Sequence, residues 1–147
     1  NMTARENMAY VADILAGYSM SICGTTSHHI IAQTIGGLFP NIAHGLTLLF
    51  VAEEYYKKVG TLRPELIDEL GGFMGIEDCH NGTGFVKGLT ALMDKTGCRH
   101  MSMSEYGIKP ADLAKITEMT VDNTGIEWEK YTLTKQDILE ILQKSYR

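Results

Sequence analysis

The sequence predicts an all-α protein, an irregular helical bundle. Apolar residues recur at helical spacing along most of the 147 residues. Helix-opening patterns precede several of those stretches, and glycine or proline punctuates them. No period-2 alternation of useful length marks a strand, and no internal repeat or low-complexity segment interrupts the pattern.

The elements follow in order. Thr3-Ala4-Arg5-Glu6 has the form of a capping box, and Met8, Val11, Leu15 and Tyr18 follow at helical intervals. They predict a first helix ending by Cys23, before Gly24. Ser27 is a good N-cap for a short helix over 28–35 that stops at Gly36-Gly37. Asn41 is a good N-cap for a helix over 42–58, apolar at Leu46, Leu49 and Phe50 and ending in Lys57 and Lys58, which suit the negative end of a helix. Pro64 fits the first position of the next helix, and Gly71-Gly72 end it. Residues 83–95 repeat apolar side chains at Phe85, Val86, Leu89, Leu92 and Met93. Pro110 starts a helix carrying Leu113 and Ile116. Thr134-Lys135-Gln136-Asp137 is a second capping box, before Ile138, Ile141 and Leu142. Residues 97–109 and 122–132 are the least regular. Glu53-Glu54 and Asp68-Glu69 read as exposed helix faces.

A chain that is 44% hydrophobic and 21% charged has the makeup of an ordinary globular domain, and it is long enough for a real core. The net charge of -5 argues against nucleic acid or an anionic membrane as partner, because both are gripped by Lys and Arg. The longest apolar run, residues 46–52 with Thr47 inside it, is far too short to span a bilayer. No charged segment followed by an apolar one opens the chain in the manner of a signal peptide. Cys23, Cys79 and Cys98 are odd in number and unpaired in spacing, which fits reduced thiols in a cytoplasmic protein.

The chemistry concentrates in residues 27–45, which hold three of the five histidines. The capping residues place His28 and His29 in the first turn of one helix and His44 in the first turn of the next. Partial positive charge at a helix N-terminus disfavours imidazolium, and the neutral ring is the form that binds metal. From spacing alone, His29 and His44 read either as a hydrogen-bonded pair or as metal ligands, since neither His-Glu-x2-His nor Cys-x2-Cys is present. His28 projects about 100° away from His29 and reads as partly exposed or cap-bonded. Gln33 lies four residues after His29, on the same face. Gly36-Gly37 read as a helix stop, Phe39 as core, and His80 and His100 as solvated loop residues. There is no glycine-rich dinucleotide loop or P-loop.

The same segment resembles the iron-dependent (group III) alcohol dehydrogenases. In that family it is read as His-His-x3-His, then a small-residue turn and Pro-His-Gly; here the spacing of His29, His44 and Gly45 matches. Met103-Ser104-Glu105-Tyr106-Gly107-Ile108 resembles the family's Ser-Asp-Tyr-Gly-Ile segment, and Ser145-Tyr146-Arg147 its closing tripeptide. The resemblance implies a dehydroquinate-synthase-like helical domain, with residues 1–147 as its C-terminal part and a nucleotide-binding domain upstream of Asn1. It implies NAD(P)-linked oxidation of a small primary alcohol or diol, or reduction of an aldehyde, at Fe(II) or Zn(II). His29 and His44 would be two of the metal's four ligands, an Asp and a further His lying upstream. Relatives often carry a His where Gln33 stands, near the substrate; Gln cannot titrate, so no proton-relay role carries over to it. Residues 1–147 alone are expected to be inactive and to self-associate through the first helix and the Leu46/Leu49/Phe50 face. Two other classes remain open at this level: a non-catalytic helical interaction module, and a related metal enzyme of the glycerol dehydrogenase or dehydroquinate synthase type.

Overall fold

A computed structural model describes residues 1–122 and 132–147. Most of the irregular segment expected at 122–132 lies outside the described residues. The elements are α1 (Met2–Ala9), a π-helical segment (Tyr10–Ala16), α2 (Gly17–Cys23), α3 (Ser27–Leu38), α4 (His44–Leu62), α5 (Pro64–Phe73), α6 (Gly84–Thr96), α7 (Asp112–Val121) and α8 (Lys135–Ser145). Two short 3-10 turns, Cys98–His100 and Ser104–Tyr106, break up the 97–109 connection. No strand occurs among the described residues, so the all-α expectation holds.

The 19-residue α4 is the axis of the bundle, with α3, α5, α6 and α8 packed around it and α7 bridging α3 and α8. Its inner face carries Val51, Tyr55 and Val59, all essentially inaccessible. Against it lie Ile31 and Ile35 of α3, Ile67 of α5, and Ile138, Ile141 and Leu142 of α8. Phe50, expected on an uncovered face, is in the core, and Leu46 is partly buried against it. The second capping box forms as predicted: the Thr134 side chain accepts from the Asp137 amide while Asp137 accepts from the Thr134 amide. Pro64 opens α5, also as predicted.

Several boundaries differ from the sequence expectation. The first helix is capped by Asn1, whose Oδ1 accepts from the Ala4 amide at 3.2 Å, rather than by Thr3. Helix α3 is capped by Thr26, with Ser27 already helical, and runs through Gly36-Gly37 to Leu38. Helix α4 starts at His44 with Ala43 as its cap, and Asn41 sits in the preceding turn. Helix α5 likewise continues past Gly71-Gly72 to Phe73. Asp68 and Glu53 are not idle surface charges. Asp68 takes backbone N–H bonds from Gly82, Thr83 and Gly84 at 2.9–3.0 Å and so caps α6 from α5. Glu53 pairs with Arg99 across the fold (3.1 and 3.2 Å) and with Lys57.

Two glycine contacts set how closely these helices approach. A Cβ on Gly60 of α4 would overlap the Gly82 carbonyl, and one on Gly71 of α5 would overlap the backbone of Gly84. Both neighbours are backbone and have no rotamer to yield. Replacement of Gly60 by Ala is therefore expected to destabilise the fold by about 1–3 kcal/mol, the usual cost of overpacking, in denaturant titrations followed by circular dichroism.

The ion pairs predict a pH dependence. Partial burial works to raise the Glu53 carboxyl, but hydrogen bonds from Lys57 and Arg99 outweigh it and hold the group below the usual carboxylate range. The folded state thus favours the ionised form, so this stability is present above the unfolded carboxylate pKa and is lost as pH falls through the folded one. Thermal melts from neutral pH into acid should show that loss, and Arg99→Met should make it shallower.

Candidate metal centre

The centre is built at the junction of α3 and α4. Ser27 is wholly buried, its Oγ 2.9 Å from the Tyr55 hydroxyl in the middle of α4. His28 follows into the same interface. Its Nε2 lies 3.0 Å from the Leu48 carbonyl oxygen, and its ring stacks on Tyr55 with centroids 4.9 Å apart. A carbonyl oxygen only accepts, so Nε2 carries the proton and donates. Burial pushes the His28 imidazolium down to about pKa 4, against the smaller opposing effect of the Leu48 carbonyl. His28 is thus a buried, neutral packing residue, and the expectation of a partly exposed or cap-bonded ring is corrected.

With His28 turned inward, the helix turn carries His29 round to the rim. His29 is half-buried, and its ring centroid lies 5.5 Å from that of His44 with the planes tilted by 55°. Both residues occupy first turns, His29 in α3 and His44 as the first residue of α4, as the sequence placed them. Desolvation lowers the His29 pKa, and the neighbouring His44 adds to the effect. A neutral imidazole keeps a lone pair available to a cation. The buried Thr47 donates its hydroxyl to the His44 carbonyl at 2.8 Å and stiffens that turn. Gln33 is exposed one turn beyond His29. A Cβ on Gly36 or Gly37 would meet nothing, so the flank of α3 beside Gln33 is open.

The pair fits part of a metal site. It supplies two ring-nitrogen donors from different helices, at a separation that lets both rings face one ion. No group of three or more His, Cys, Asp or Glu side chains able to hold a metal occurs among the described residues. Other histidines stay apart: His80 is exposed in a loop beside Asp78, and His100 is exposed on a 3-10 turn.

The other two sequence motifs form a structural clasp away from this pair. The Ser104 amide donates to the Arg147 carbonyl at 3.0 Å, and the Tyr146 hydroxyl donates to the Ile108 carbonyl at 3.3 Å. Residues 103–108 and 145–147 are thereby tied together, with Tyr106 against Phe50 of α4.

The fold and the histidine pair define a helical C-terminal domain of the iron-type alcohol dehydrogenases. The C-terminal model of the Fe-containing alcohol dehydrogenase family matches residues 1–146, and the chain belongs to that family of oxidoreductases. An alcohol dehydrogenase of archaeal, halo-thermophilic origin from a Red Sea brine pool superposes with a TM-score of 0.86 at 28% identity, over 99% of this chain and 38% of its own. A histidine-to-alanine mutant of that enzyme gives the same values. A 1,3-propanediol oxidoreductase shares the fold, with a TM-score of 0.84 at 23% identity over 99% of this chain and 39% of its own. The chain thus spans about two fifths of the length of these proteins. No curated protein sequence matches it. Among the described residues, no helix is long and apolar enough to cross a membrane.

The anchoring residues Ser27, Tyr55 and His28 were not singled out from sequence as a unit. The signal was present: Tyr55 falls four residues from both Val51 and Val59, on the buried stripe of α4. Tyr55→Phe, which removes the contact with Ser27, is expected to lower stability by about 1 kcal/mol in urea titration.

Proposed function

We propose that this chain is the metal-holding part of the helical domain of an iron-dependent, NAD(P)-linked alcohol dehydrogenase or aldehyde reductase. The observation that carries this reading is the approach of His29 and His44 from two helix N-termini, 5.5 Å between ring centroids, while His28 is withdrawn into the core. Membership of an iron-containing family supports iron, and nothing in the chain favours zinc. Bound iron would supply Lewis acidity to the oxygen of a small primary alcohol or diol.

The chain's own residues hold and orient. His29 and His44 are the two nitrogen ligands; Ser27, His28 and Tyr55 fix the roll of α3, and Thr47 fixes the first turn of α4. Gln33 lies on the exposed flank beside the pair, where its amide hydrogen-bonds but carries no proton to or from substrate. The remaining ligands, a carboxylate among them, come from outside the described residues, as iron sites of this donor class require. The nicotinamide cofactor also binds elsewhere in the protein, because no glycine-rich phosphate loop occurs in the chain. Residues 1–147 are accordingly read as the C-terminal part of a helical domain that follows a nucleotide-binding one, in a cytoplasmic enzyme.

The test uses the intact protein that carries this segment. His44→Ala should remove iron, measured by elemental analysis, together with alcohol-dependent NAD(P) reduction. Full iron content and wild-type turnover in that variant would refute the ligand assignment. The 147-residue chain by itself should reduce neither NAD nor NADP with 1,2-propanediol and added Fe(II).

A further inference from the structure

A pocket of about 210 Å³ lies where α4, the Cys98–His100 turn and the end of α8 meet. It sits about two to three turns along α4 from His44. Buried Phe50 gives it an apolar wall. The acids that line it are already matched: Glu53 accepts from Lys57 and Arg99, and Glu54 accepts from Lys57. Arg99 is matched too, between Glu53 and Asp94. Lys144 and Arg147 also line the pocket, and neither forms an ion pair among the described residues. Ser145 is part of the same wall and is 4% exposed. Its Oγ is the only buried side-chain polar atom without a hydrogen-bond partner among the described residues. The clasp holds this stretch in place, since the Ser104 amide donates to the Arg147 carbonyl and Tyr146 to that of Ile108. The backbone that carries all three side chains is therefore fixed before any ligand arrives.

We propose that this pocket binds a small oxyanion of the phosphate class, with Lys144, Arg147 and the Ser145 hydroxyl as its donors. Unmatched charge decides the sign of the ligand. With Glu53, Glu54 and Arg99 tied into their own pairs, the free charge facing the pocket is that of Lys144 and Arg147, and both are positive. The C-terminal end of α8 opposes an anion, but with only about half a negative charge against two full positive ones. A cation would be repelled, and one aromatic ring is too little wall for an apolar ligand. A buried hydroxyl with nothing to bond is unfavourable, and an oxyanion oxygen would satisfy it. Rotation about χ1 turns the Ser145 hydroxyl from its closed position to the ligand. A tetrahedral oxyanion presents oxygens in several directions to meet three donors, whereas a carboxylate presents two in one plane. The chemistry is that of free inorganic phosphate or of the phosphoryl end of a small metabolite. The site is separate from the histidine pair and does not rest on its assignment.

The test is isothermal titration calorimetry of inorganic phosphate into the intact protein that carries this segment. Saturating NAD(P) occupies the cofactor's own phosphate contacts throughout. In the intact protein, any upstream side chain seated on the pocket counts against the proposal. One phosphate per chain is expected, and acetate should bind roughly tenfold more weakly or worse. Lys144→Gln with Arg147→Gln should weaken phosphate binding by roughly tenfold or more, and Ser145→Ala by roughly threefold or more. Ser145→Ala breaks no hydrogen bond, so its melting transition by circular dichroism should not fall. Lys135→Gln, at the far end of the same helix, removes the same type of charge and should leave binding unchanged. Phenyl phosphate titrated in parallel separates the sources: tighter binding than phosphate supports a metabolite at the site, and weaker binding supports the free ion there. No saturable phosphate binding, acetate binding as tight as phosphate, undiminished binding in either the double variant or Ser145→Ala, or loss of binding in Lys135→Gln would overturn the proposal.

Discussion

The arrangement of the candidate centre depends on two buried polar contacts between α3 and α4. Ser27 meets Tyr55, and His28 donates to the Leu48 carbonyl. Apolar packing alone leaves a helix some freedom to roll about its axis; directional bonds in a low-dielectric interior remove it. Because His28 must face inward to reach Leu48, the next residue is delivered to the rim, where His44 begins α4. The ring that enters the core thus positions the ring that stays outside. This also explains why adjacent histidines differ so much in environment, one at 8% exposure and the other half-buried.

The rest of the bundle keeps α4 in place. Helix α5 caps α6 through Asp68, glycines let the α4, α5 and 80s-loop backbones touch, and the clasp between residues 103–108 and 145–147 ties the end of α8 to the flank of α4. Two of the three motifs that carried the family resemblance therefore have structural roles. They hold the scaffold, and the third, in α3 and α4, faces the space where chemistry is proposed.

The legible parts of the sequence were those where one local rule acts without competition. Pro64 at the start of α5 and the capping box at Thr134 depend on backbone chemistry within one turn, and both formed as read. Helix ends were harder. Gly36-Gly37 read as a stop, but the core contacts of Ile31 and Ile35 carry α3 on to Leu38, and glycine's propensity cost is small beside that burial. Asn41 lost the cap to Ala43 because the turn after Phe39 sets where the backbone becomes helical. The inward turn of His28 and the Glu53–Arg99 pair depend on residues 20 and 46 positions away, beyond any local pattern. The first helical stretch runs to Cys23 as read, but its π-helical segment over Tyr10–Ala16, bonded from i to i+5, has no signature in apolar spacing.

The contact between α4 and α8 bears on how the chain acquires its shape during synthesis. Val51, Tyr55 and Val59 are made some 80 residues before Ile138, Ile141 and Leu142, which complete their enclosure. Until α8 emerges, α4 has α3, α5 and α6 on three sides and an open fourth side. Contacts so distant in sequence slow folding and leave apolar surface open to chaperones in the meantime. The inner face of α4 therefore stays partly open until α8 is made, and the capping box at Thr134, a local device, starts α8.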